Sequence, residues 1–243
     1  MRQIRIYTPQ PLENEAEILL DARAEKHLIQ VLRKRSGDAV TLFNGNGWNA
    51  HGVIIKAGAR ADCLVKINRT EPSSTESPLK LGLIQAVAKG DKMDWLVQKA
   101  IELGVAEIRP VWTERTEVRL NEQRAAKRQA RWQEIAISAC EQSLRSMLPT
   151  VHGPVALTTL EASHLRGVFL HPQASGTLAD WKLPTNRLMQ IAIGPEGGFS
   201  DYELDWLGSS GMIGLRIGPR VLRTETAGPA ALAALQALHG DWR

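Results

Sequence analysis

Three stretches of this chain carry a rigid turn, two of them with glycine and charge as well, in a way that suits a small-molecule pocket. They read LHPQAS at 170–175, IGPEGGFS at 193–200 and IGPRVLRTETAG at 217–228, and the last two open on the same Ile-Gly-Pro triplet. Gly197 and Gly198 permit a left-handed backbone and close approach of a ligand to the main chain. Ser200 followed by Glu203 has the spacing of a capping box, which predicts a helix starting there with its N–H groups near the loop. Arg220 and Arg223 flank the apolar pair Val221-Leu222, and Thr224-Glu225-Thr226 follows at a second predicted helix start. Taken singly, Gly-Pro and Gly-Gly are ordinary strand terminators and turns. Three such loops on one side of a sheet, two of them bearing arginine or glutamate, favour a binding site. They are not phosphate loops of the usual kind: no Gly-Lys-Ser/Thr follows the glycines, and no G-x-G-x-x-G follows the first strand. The six histidines are scattered without H-x-x-H or H-E-x-x-H spacing, so no metal is expected.

Loops of this kind must be carried by a parallel sheet, in which ligands bind beyond the carboxyl ends of the strands. The sequence supplies one. LKLGLIQAV (79–87) reads as a buried strand, and Gly90-Asp91 opens a helix with Asp91 as its expected cap. Met93, Leu96, Val97, Ala100 and Ile101 form the apolar face of that helix, and Gly104 ends it. AEIRPVW (106–112) is the next strand, which completes a βαβ unit and predicts a parallel sheet covered by helices. A long helix is expected from about 121 to 144, with Trp132, Ile135, Ala136, Ala139 and Cys140 facing inward. Strands GVFLHP (167–172), MQIAI (189–193) and GLRI (214–217) end at the three loops. A final helix spans about 227–238, with Pro229 tolerable in its first turn after Gly228.

Residues 1–72 read differently. VTLFNGNGWNAHGVIIK alternates around Asn-Gly turn signals, CLVKI (63–67) is a further strand, and between Asp21 and Leu32 the residues Ala24, His27, Leu28, Val31 and Leu32 recur at helical spacing. TEPSSTESP (70–78) reads as a linker. The expected division is a small β-barrel-like module at 1–72 and an α/β domain at 73–243.

A chain of 243 residues with 43% apolar and 23% charged residues can bury a substantial core. No apolar run is long enough for a bilayer, and Arg2 and Arg5 interrupt the N-terminus where a signal peptide needs its apolar stretch, so no membrane is expected. Cys63 and Cys140 are isolated thiols, which fits a reducing cytoplasmic address. The net charge of +4 tilts towards a polyanionic partner. The excess gathers at Arg33, Lys34 and Arg35 and at Arg124, Lys127, Arg128 and Arg131; such runs are usually solvated faces, but both sit among apolar residues of folded elements.

L-H-P, I-G-P-E-G-G and L-R-I-G-P-R-V-L-R-T-E-T-A, in this order, together with the N-terminal R-I-Y and the V-L-R ending at Arg33, resemble the RsmE family of SPOUT RNA methyltransferases. The resemblance covers nearly the whole chain. It implies a C-terminal SPOUT domain, an α/β parallel sheet tied in a deep trefoil knot, one of the rare exceptions to unknotted chains. It also implies an N-terminal PUA-like RNA-binding β-barrel, a homodimer whose subunits share the active-site region, and methylation of N3 of uridine 1498 in 16S rRNA of the small ribosomal subunit. The cofactor implied is S-adenosyl-L-methionine, held by Leu170, His171 and Pro172, by Ile193, Gly194, Glu196, Gly197 and Gly198, and by Leu215, Ile217, Gly218, Val221, Leu222, Arg223, Thr226 and Ala227. Main-chain groups of Leu170, Gly194, Ile217, Gly218 and Leu222 would read the adenine edges.

N3 of uracil keeps its proton at neutral pH, so removing it calls for a base, for which Glu225 and Glu196 are the carboxylates on the right loops. Arg223 would stabilise the resulting anion. Helix capping accounts for Glu225 as well, and strand-end packing beside Pro172 accounts for His171. Arg5, Arg33, Lys34, Arg35, Arg124, Arg128 and Arg220 are the expected RNA contacts, anchoring phosphates around a splayed-out base. Two other readings stay open: a SPOUT enzyme acting on another RNA such as tRNA, including a ribose 2′-hydroxyl, and a non-catalytic RNA-binding assembly factor. Intact IGPEGG and RTETA stretches weigh against the second.

Overall fold

The computed structural model describes residues 4–57, 63–118, 120–184 and 187–242, so Arg2 lies outside the described residues. The chain forms two compact units. The first comprises Met1–Glu76 together with Ile137–Leu148, and the second Ser77–Ala136 with Pro149–Arg243.

The first unit contains β1 (Arg5–Tyr7), β2 (Glu17–Leu19), α1 (Ala22–Glu25), β3 (Ala39–Phe43), β4 (Trp48–Lys56) and β5 (Leu64–Pro72). The strands form one sheet in the order β1-β3-β4-β5-β2. Its core is built from alternate inward residues, among them Ile6, Leu42, Ile54, Val65 and Ile67, all fully buried. The expected helix at 21–32 begins where the sequence places it, with Asp21 accepting from the Ala24 N–H at 2.8 Å. It then widens into a π-helical turn at Lys26–Val31. That change of pitch points Val31 and Leu32 outward, and only Ala24 and Leu28 of the expected apolar stripe are buried. Part of the anticipated linker is strand: Thr70, Glu71 and Pro72 extend β5 and pair with Ala50, Asn49 and Trp48.

Arg5 is the chief departure from expectation in this unit. It is not on the surface for RNA but 4% exposed. Its guanidinium donates to Asn49 Oδ1 at 2.7 Å, to Ser146 Oγ at 2.8 Å and to the Arg145 carbonyl at 3.0 Å, and lies 4.9 Å from the Phe43 ring centre. Arginine suits this role because its several donors can be satisfied in one fixed fork. Glu76 closes the same corner. One of its oxygens accepts from the N–H groups of Ser146 and Met147, both at 2.9 Å, and the other from Arg145 at 3.0 and 3.1 Å.

The second unit is an all-parallel sheet. Its elements are β6 (Leu81–Ala86), α2 (Lys92–Glu102), β7 (Glu107–Trp112), α3 (Glu122–Ser143, whose final turns belong to the first unit), β8 (Thr150–Val151), β9 (Val155–Ala156), β10 (Gly167–Leu170), β11 (Gly176–Thr177), β12 (Met189–Ile193), α4 (Asp201–Ser209), β13 (Ile213–Arg216) and α5 (Thr224–His239). The order is β11-β13-β10-β12-β6-β7-β8, with β9 also paired to β7. From β12 the chain passes through α4, steps over β10 to β13, and returns with α5 onto β12 and β6. Both faces of the sheet are covered. Ile84, Phe169 and Ala192 pack with Leu207 of α4, whereas Leu83 and Gln85, pointing the other way on β6, meet α5.

Three local expectations change. Asp91 precedes α2, but its side chain makes no capping bond. β13 ends at Arg216, so Ile217 is already loop. α5 begins at Thr224, which makes Pro229 its sixth residue rather than a first-turn residue; lacking an N–H, it leaves the Glu225 carbonyl without the usual helical donor.

Candidate active site

The three loops leave one edge of the second unit's sheet. Leu170 pairs with Leu215 and Phe169 with Ala192, all in parallel register, so β10, β12 and β13 end side by side. Gln85 on β6 lies level with Ile193. Main-chain and side-chain bonds then join the loops. The His171 N–H donates to the Leu215 carbonyl at 2.9 Å. Thr224 Oγ donates to the Gly194 carbonyl at 2.7 Å, tying the second loop to the start of α5.

The second loop is held at its far end as well. Gly198 adopts φ +70°, where a side chain would be strained. Arg115 donates to the carbonyls of Gly197 and Phe199 at 3.0 and 3.2 Å. The expected capping box forms: Ser200 N–H donates to Glu203 Oε2 at 2.9 Å, and Glu203 N–H donates to Ser200 Oγ at 3.3 Å. The other Glu203 oxygen accepts from the Glu114 N–H at 2.8 Å. Between these anchors Glu196, Gly197 and Gly198 stand exposed.

The two candidate carboxylates meet over one lysine. Lys92 Nζ is 3.5 Å from Glu196 and 3.3 Å from Glu225. Glu225 sits in the first turn of α5, where the helix dipole favours a negative charge, and its second oxygen is buried without a hydrogen-bond partner among the described residues. Glu196 is the more open of the pair, its side chain 41% exposed against 14% for Glu225. Lys92, common to both ion pairs, is partly exposed, so the cluster contributes at most about 1 kcal/mol per contact to stability. Within this cluster two acids face one lysine, a local arrangement that suits a positively charged ligand beside the carboxylates. In the third loop Arg220, Val221 and Arg223 are exposed, Leu222 is half-buried, and neither guanidinium forms an ion pair or hydrogen bond among the described residues. No side chain caps α5 at Arg223. The edge thus presents main-chain groups, two acids and two free guanidinium groups. That combination can hold a flat, cationic nucleoside and meet a polyanion beside it.

Leu170, His171, Ile193, Gly194, Glu196, Gly197, Leu215 and Glu225 are joined by these contacts and pairings, and Gly198, Ile217, Gly218, Val221, Leu222 and Arg223 lie on the segments that link them. Pro172 follows His171 in the first loop. Thr226 is exposed and Ala227 buried on the first turn of α5. The Gly194 carbonyl, expected to read a ligand edge, is already engaged by Thr224. Of the expected RNA contacts, Arg33, Lys34 and Arg35 belong to the first unit, and Arg124 and Arg128 lie on α3. Arg131 is bound to Asp94 at 2.7 Å. Sequence reasoning missed Gln85, Lys92, Arg115 and Thr224. Gln85 is the one polar residue in the apolar run LGLIQAV, which was a signal; nothing local marked Arg115.

The family model for an RNA methyltransferase domain matches residues 75–236, and that for an RNA methyltransferase PUA domain matches residues 20–67. Ribosomal RNA small subunit methyltransferase E of Buchnera aphidicola is 31% identical over 98% of this chain and 95% of its own length. The crystal structure of the protein of that name from Neisseria gonorrhoeae, bound to S-adenosyl methionine, is 35% identical with a TM-score of 0.90 and covers both chains completely. A Legionella pneumophila structure with SAM as bound cofactor is 40% identical with a TM-score of 0.91, over 99% of this chain and all of the other.

Proposed function

The chain belongs to the ribosomal RNA small subunit methyltransferase E family, and from that premise we propose that it methylates N3 of uridine 1498 in 16S rRNA, with S-adenosyl-L-methionine as donor. One observation carries the reading: the carboxyl ends of β10, β12 and β13 converge and are laced together through Thr224 and Gly194, which makes a main-chain-rich cradle. The donor fits that cradle. Exposed Gly197 and Gly198 let its adenosyl part approach the backbone, the half-buried Leu170 and Leu222 offer apolar contact, and the acid pair suits a sulfonium. When bound, the donor supplies an electrophilic methyl group.

The chain's own residues supply the rest. Main-chain binding groups lose no side-chain entropy on binding. Holding donor and uridine in line contributes about 7–11 kcal/mol of barrier reduction. Arg223 is free to bind the uracil oxygens and stabilise the anion left when the N3 proton departs. A carboxylate receives that proton, and Glu196 is the more accessible of the two acids. Glu225, paired to Lys92 and largely buried, serves to hold Lys92 and the helix start. Arg220 faces the RNA backbone, with Arg33, Lys34, Arg35, Arg124 and Arg128 as further phosphate contacts. The working form is a homodimer in the cytoplasm, and no metal takes part.

Purified protein given labelled donor together with small-subunit particles, free 16S rRNA and tRNA tests the substrate. Label is expected in the small-subunit RNA, at N3 of one uridine. Label found only in tRNA, or on a ribose hydroxyl, would replace this substrate by the alternative.

A further inference from the structure

We propose that Thr224, oriented by Gln85, is the positioning residue that sets the Gly194–Gly198 loop for the methyl donor; this rests on the reading of that loop as the donor's. Gln85 is fully buried on β6. Its Nε2 donates to the Ala86 carbonyl at 3.0 Å and to Thr224 Oγ at 2.9 Å. A carbonyl can only accept, so the amide nitrogen must face Ala86, and the amide has one permitted orientation. Thr224 Oγ then receives a hydrogen from Gln85, and its single hydrogen goes to the Gly194 carbonyl at 2.7 Å. The direction of the relay is fixed: Gln85 to Thr224 to Gly194.

The receiving group makes this more than a packing contact. The peptide after Gly194 belongs to Pro195, which has no N–H, so its carbonyl is the only polar handle by which that peptide plane can be turned. There is little slack around it, since a methyl group added at Gly194 would lie 3.2 Å from the Phe199 nitrogen. Arg115 and the Ser200 cap fix the far end of the loop, and the Thr224 hydroxyl fixes the near end. One hydroxyl therefore sets the first peptide of the donor loop.

Thr224→Val keeps the shape and deletes both bonds; Thr224→Ser keeps the hydroxyl. Calorimetric titration of each folded variant with S-adenosyl-L-methionine is expected to show donor Kd at least about 10-fold weaker for Thr224→Val and within about 3-fold of the parent for Thr224→Ser. The KM for donor should follow Kd, while kcat at saturating donor changes less. Should Thr224→Val not fold, Gln85→Met releases the hydroxyl to rotate and is expected to weaken donor binding by about 3–10-fold. Parent-like donor affinity in the folded variant, even with a lowered Tm, would reduce Thr224 to a structural role and overturn the proposal. Failure of the unaltered protein to bind the donor would instead overturn the reading of the loop on which it rests.

Discussion

Arg33 carries a backbone that its side chain does not favour. Its φ is +53°, in the left-handed region, and it closes the π-helical turn: the Leu32 N–H donates to the His27 carbonyl at 2.9 Å and the Lys34 N–H to the Leu28 carbonyl at 3.1 Å. Glycine is the residue that usually fills such a helix-ending position, because a Cβ there costs about 1 kcal/mol or more. Arg33 is exposed, so packing does not explain the arginine. The proposed phosphate contact would explain it. Arg33→Gly is expected to stabilise the fold by about 0.5–1 kcal/mol, relieved strain net of glycine's added freedom in the unfolded chain, and so to raise Tm slightly. Affinity for a 16S rRNA fragment should fall, and the slope of log affinity against log salt should become shallower by about one. Unchanged RNA binding in Arg33→Gly would remove Arg33 from the proposed interface.

At the scale of elements, the seat of α5 on β6 depends on one absent methyl group. A Cβ on Gly228 would meet Leu83 at 3.3 Å and Gln85 Oε1 at 3.2 Å, both on fully buried side chains. Gln85 cannot yield without loosening its bond to Thr224. Gly228→Ala gains up to about 1 kcal/mol of helix propensity, whereas overpacking a tight contact costs about 1–3 kcal/mol. A net loss of about 1–2 kcal/mol in urea unfolding is expected, and a more stable variant would show that α5 can shift. Much at this scale was legible in the sequence. Ser200 and Glu203 announced α4 because a capping box is local, and MQIAI announced a strand because its apolar run is short and unbroken. Asp91 did not cap because a residue's type permits a bond without compelling it. The π-helical turn stayed hidden since six residues are too few to separate its pitch from an α-helix. Thr70–Pro72 read as linker because a polar strand carries no apolar alternation. Gln85, Lys92, Arg115 and Thr224 escaped because their roles exist only once distant strands lie together.

For the whole molecule, the two thiols bear on pH. Burial pushes the Cys140 thiol up to about 12, with Arg145 pulling the other way and Glu76 adding to the rise. Burial, aided by Glu25, also raises Cys63. An unfolded chain ionises its thiols near pH 8.5. Because the folded value is the higher one, this contribution is fully present below about pH 8.5 and is lost as pH climbs towards 12. The urea midpoint is therefore expected to fall between pH 8 and 10, more steeply in the unaltered protein than in Cys140→Ala; equal slopes would show that Cys140 takes no part. No helix among the described residues is long and apolar enough to cross a membrane. The first unit needs two separate pieces of chain, with Glu76 in one gripping Arg145, Ser146 and Met147 in the other. During synthesis, then, the amino-terminal part waits: Ser77–Ala136 of the second unit has emerged before the stretch that latches it arrives. A truncation after Glu76 would leave Arg5 facing a gap where Ser146 belongs, and translation speed through the intervening segment sets how long that corner stays open.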